Sequence, residues 1–65
     1  MTEQEYLSGP ELPGIMPRAR FAEGVIKISA IMNMETEAQV REKPGAWAAI
    51  EADYRELVAH HTRKS

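Results

Sequence analysis

A chain of 65 residues without a single cysteine holds its fold together by apolar packing alone, or with help from another molecule. A domain of this size buries only about 60% of the surface its unfolded form exposes, which leaves a marginal core. Small scaffolds usually add a disulfide, a metal or a partner chain. Zero cysteines exclude disulfides, thiolate zinc sites and cysteine nucleophiles, and two histidines are a poor basis for structural zinc. By elimination the expected support is another polypeptide, a second copy or a target.

The first segment, residues 1–17, carries Glu3, Glu5 and Glu11 and is broken by Gly9-Pro10, Pro13-Gly14 and Pro17. Thr2-Glu3-Gln4-Glu5 has the spacing of a capping box, but Gly9-Pro10 stops any helix begun there within two turns. The expectation is an irregular arm that wraps the domain or stays loose, ahead of one small helical domain over 18–65.

Residues 18–34 fit two templates. As a strand, Ile26, Ile28, Ala30, Met32 and Met34 fill one face, and Val25, Lys27, Ser29, Ile31 and Asn33 the other. As a helix, Phe21, Val25, Ile28 and Met32 recur at spacings of four, three and four. The β-branched residues and Gly24 favour a strand over 25–34, whereas Pro17, Ala19, Arg20, Ala22 and Glu23 favour a helix. A lone strand is no fold, so the strand reading requires two chains to pair.

Residues 35–65 are less ambiguous. Thr36-Glu37-Ala38-Gln39 matches a capping box, which predicts a short helix over about 37–42. Lys43 precedes Pro44 and is pushed out of helical geometry, and Pro44 is expected to open a second helix over roughly 45–62. There Trp47, Ile50, Tyr54 and Leu57 recur at three, four and three, and Val58 widens the stripe. Arg63 and Lys64, with His60 and His61, place positive charge near the helix end. The fold class is therefore mainly α, a small helical domain of two or three helices with a possible short strand at 25–34 and an irregular N-terminal arm.

A search for chemistry finds none. His60 and His61 are adjacent, so on a helix they point about 100° apart and do not share an ion. Ser8, Ser29 and Ser65 lack a glycine-flanked elbow, and the four glycines match no phosphate-binding spacing. The expectation is a non-enzyme with no cofactor and no metal. Eight basic residues against ten acidic ones weigh against a nucleic-acid partner. No run approaches about 18 apolar residues, which predicts no membrane span. The acidic start at Met1-Thr2-Glu3-Gln4-Glu5 is unlike a signal peptide, which makes the cytoplasm the expected compartment.

The leading expectation is a small regulatory or interaction protein that binds protein, as a homodimer or on a larger target. Its candidate interface is Trp47, Ile50, Tyr54, Leu57 and Val58, with core filling as the competing role for Trp47 and Tyr54. An alternative is a dimeric DNA-binding regulator of ribbon–helix–helix type. Lys27, Ser29 and Asn33 would then touch bases, and Arg18 and Arg20 phosphates. A further alternative is an accessory subunit of a larger complex.

Overall fold

The computed structural model describes residues 1–11 and 14–63; Leu12, Pro13, Lys64 and Ser65, with the turn expected at Pro13 and the charge at Lys64, lie outside them. The described residues form four helices: α1 (Glu3–Leu7), α2 (Arg18–Asn33), α3 (Glu37–Glu42) and α4 (Ala46–Arg63). No strand occurs among them, so the mainly helical expectation stands and the strand at 25–34 is corrected. The physical reason is hydrogen bonding. A helix pairs its backbone groups internally, whereas one strand with no neighbour leaves them all open. Against that, the helix penalty of the β-branched residues is only a few tenths of a kcal/mol each.

The N-terminal arm is also more ordered than its punctuation suggests. The Thr2 Oγ1 accepts from the Glu5 N–H at 3.2 Å, and the Glu5 carboxylate accepts from the Thr2 N–H at 2.8 Å, closing the box that opens α1. Gly9-Pro10 ends it after five residues, as expected. What orders the arm is Tyr6, which is fully buried and donates its hydroxyl to the Arg18 carbonyl at 2.8 Å. Gly9 is more than a breaker, because a Cβ there would lie 2.3 Å from the guanidinium carbon of Arg18.

Helix α2 follows Pro17 and ends in a Schellman closure. The Glu35 N–H donates to the Ala30 carbonyl at 2.9 Å and the Met34 N–H to the Ile31 carbonyl at 3.4 Å. Met34 takes the left-handed conformation at φ 55°, a position where glycine is the usual occupant. Helix α3 starts at the Thr36/Gln39 capping box and stops at Lys43, which is extended ahead of Pro44. One detail is corrected: Pro44 does not open α4. Lys43-Pro44-Gly45-Ala46 is a type II turn, with the Ala46 N–H on the Lys43 carbonyl at 3.2 Å and Gly45 at φ 77°, and α4 begins after it.

The core joins Tyr6, Ala22, Ile26, Ala30, Val40, Trp47, Ile50 and Tyr54, with Ile15, Phe21, Val25, Leu57 and Val58 packed at its margin. Tyr6 and Tyr54 meet edge to face at 6.3 Å, Phe21 and Tyr54 likewise at 5.3 Å, and Tyr6 tilts against Trp47 at 5.6 Å. The Trp47–Ile50–Tyr54 stripe is thus covered by α1 and α2 of the same chain. Because the rings of Tyr6, Trp47 and Tyr54 fill this space, α2 contributes the small residues Ala22 and Ala30 around Ile26, with Phe21 and Val25 at the margin and Ile28, Ile31 and Met32 outside.

Candidate functional site

Two features of the fold are candidates, one buried and one on the surface. The buried one centres on Arg18, a residue only 5% exposed, whose guanidinium lies beneath α1. Its Nε donates to the Pro10 carbonyl at 2.8 Å, and its Nη1 donates to the Tyr6 carbonyl at 2.9 Å and to Glu51 Oε1 at 2.7 Å. Nη2 reaches Glu51 Oε2 at 3.3 Å, the same oxygen that accepts from Arg55 Nε at 3.3 Å. The guanidinium carbon also lies 5.1 Å from the Tyr6 ring centre and 4.8 Å from that of Tyr54.

The electrostatics of this cluster suit a fixed strut. The Arg18 hydrogen bond holds the Glu51 carboxyl below its ordinary range, against the opposing effect of burial. A general acid needs the opposite shift, with its proton retained near neutral pH. Burial pushes the Tyr6 phenol up to about 12. No buried side-chain nitrogen or oxygen among the described residues lacks a partner, so nothing in the cluster is aimed at a substrate. No group of three or more potential metal ligands occurs among the described residues, and His60 and His61 are exposed on α4.

The surface feature is the outer face of α2. At 100° per residue, Arg18, Ala22, Ile26 and Ala30 occupy the arc turned to the core. Phe21, Gly24, Val25, Ile28, Ile31 and Met32 occupy a separate arc of about 120°. Ile28 is 60% exposed, Ile31 70% and Met32 77%, while Phe21 and Val25 are half-buried at its edge. Around Gly24 this face opens into a groove of 490 Å3 lined by Met16, Arg20, Phe21, Glu23, Gly24, Val25, Lys27 and Ile28. A Cβ on Gly24 would meet nothing within 4 Å. The rim carries both signs of charge, and Arg20, Glu23 and Lys27 form no ion pair among the described residues.

The residues anticipated as an interface are largely interior: Trp47, Ile50 and Tyr54 are buried, and Leu57 and Val58 half-buried. Those anticipated as nucleic-acid contacts do not share a face. Arg18 is enclosed by Glu51, Arg20 and Lys27 flank the apolar groove, and the half-buried Ser29 and exposed Asn33 lie round the other side of α2. The two-stranded ribbon they would have formed is absent, since residues 25–33 are helical. Gly24 and Ile31 were not singled out as contact residues. The available signal was a surplus: α2 carries more apolar residues than one core-facing stripe uses.

What the fold and surface define is a class, a small helical domain whose described residues form four helices around a common core, with an uncovered apolar face on α2. No family model matches the chain, and no curated protein or solved structure matches it. No helix among the described residues is long and apolar enough to cross a membrane.

Proposed function

We propose that this chain is a non-enzymatic regulatory or interaction protein of the cytoplasm that acts by binding protein through the outer face of α2. The observation that carries the reading is the exposure of Ile28, Ile31 and Met32 side by side on a helix whose other face already completes the core. Contiguous apolar surface rimmed by charge is a feature of protein contact sites. Met32 lies on the face and Met16 lines its groove, and their flexible thioether chains adapt to a partner's contours.

The test compares the wild-type chain with an Ile28→Asp, Met32→Asp double variant on a matrix loaded with lysate of the source cells. Both positions are exposed, so circular dichroism of the variant should match the wild type. The expected result is a protein retained by the wild type, this chain included, and lost with the variant. A wild-type chain that neither self-associates nor retains anything would overturn the proposal, as would retention indifferent to the two aspartates.

A further inference from the structure

We infer that the partner seated on α2 is a second copy of this chain, with the two α2 helices antiparallel and Gly24 of each facing Ile28 of the other. The inference rests on the reading of α2 as the contact face and adds its occupant and register.

Two observations converge on it. The first is area. The chain exposes 4887 Å2, against about 4,200 Å2 for a compact folded monomer of its mass, an excess of about 700 Å2. A standard stable interface removes about 800 Å2 from each partner, so the surplus is of the size that a dimer needs.

The second is self-complementarity. A two-fold contact places the same patch on both sides, so the patch must contain both a projection and a recess to receive it. Helix α2 has both. Phe21, Gly24, Ile28 and Ile31 follow the three–four–three spacing of a helix–helix seam. Gly24 supplies the recess and Ile28, one turn on, the projection. With Gly24 facing Ile28, Phe21 faces Ile31. A glycine inside a helix costs about 1 kcal/mol relative to alanine, and none of the described residues comes near enough to require it. A second helix crossing closely at that point does require it.

The experiment is sedimentation equilibrium on the full chain from low micromolar to several hundred micromolar, with helicity followed in parallel. The wild type should reach twice the 7.3 kDa chain mass. Ile28→Asp should remain at the single-chain mass with unchanged helicity. Gly24→Ala should move two readouts in opposite directions: a higher melting temperature at low concentration, and a dimer weakened about tenfold through the blocked approach.

A wild type that stays at single-chain mass at the highest concentration overturns the inference. If that monomer still binds another protein through Ile28 and Met32, the contact role survives and only the occupant is wrong. A dimer indifferent to Ile28→Asp overturns the placement on α2. A dimer that Gly24→Ala leaves as tight as the wild type overturns the antiparallel register.

Discussion

Replacing Glu51 by alanine removes the carboxylate that pairs with the Arg18 guanidinium, while Arg18 stays beneath α1 at 5% exposure. Breaking one side of a buried ion pair costs about 3–5 kcal/mol, mainly because the remaining charge is left uncompensated. Arg18 keeps its bonds to the Tyr6 and Pro10 carbonyls and its position over two tyrosine rings, which places the expected loss near about 3 kcal/mol, the low end of that range. A 65-residue domain has about 3–10 kcal/mol in total, so this single truncation removes a third of the stability or more. The assay is urea denaturation followed by Trp47 fluorescence and far-ultraviolet circular dichroism, with the midpoint lowered and the slope unchanged. Glu51→Gln keeps the shape and an acceptor and should lose less, about 1–2 kcal/mol. The same pair sets an acid limit. Because the Glu51 carboxyl in the fold titrates below its ordinary value of 4.5, its contribution is complete above that value and is lost as pH falls through it and below. Wild-type stability should therefore drop on acidification through this window more steeply than that of Glu51→Gln. An alanine variant within about 0.5 kcal/mol of wild type, the range of ordinary surface changes, would refute the reasoning.

Gly9→Ala would push a methyl into the Arg18 guanidinium, which Pro10, Tyr6 and Glu51 hold in place, and should cost about 1–3 kcal/mol by the same urea titration. Met34→Gly should stabilise the chain by about 1 kcal/mol, since the side chain is 94% exposed and its left-handed backbone is strained for any residue with a Cβ; a lowered thermal midpoint would contradict this. Tyr6→Phe removes the buried hydroxyl bond to the Arg18 carbonyl and should cost about 1 kcal/mol, with faster amide exchange in α1 than in α4. Emission from Trp47, enclosed by Tyr6 and the α4 packing, should be shifted to the blue in the folded chain and return to that of free indole in denaturant.

Local rules account for the parts of this molecule that its order of residues determines. The two capping boxes at Thr2 and Thr36, the stop at Gly9-Pro10, the extended Lys43 ahead of Pro44 and the Trp47–Ile50–Tyr54 face of α4 all follow from interactions spanning three or four positions. Such interactions are the same in any context, so they can be read along the chain. The state of residues 18–34 could not be, because apolar spacing there satisfies a strand and a helix alike. Tertiary packing decided it, through the absence of a pairing strand and the presence of a core that accepts a helix. It also decided which side of that helix faces inward. Reading by size selects Phe21, Val25, Ile28 and Met32, but Tyr6, Trp47 and Tyr54 take Ala22, Ile26 and Ala30 into the interior and leave Phe21 and Val25 at its margin. Arg18 shows the same limit. Its basic character suggested a phosphate contact, and its burial depends on a carboxylate 33 positions away that no local pattern connects to it. Which groups share the interior is a question of total volume and charge in three dimensions, and that balance exists only once the helices have met.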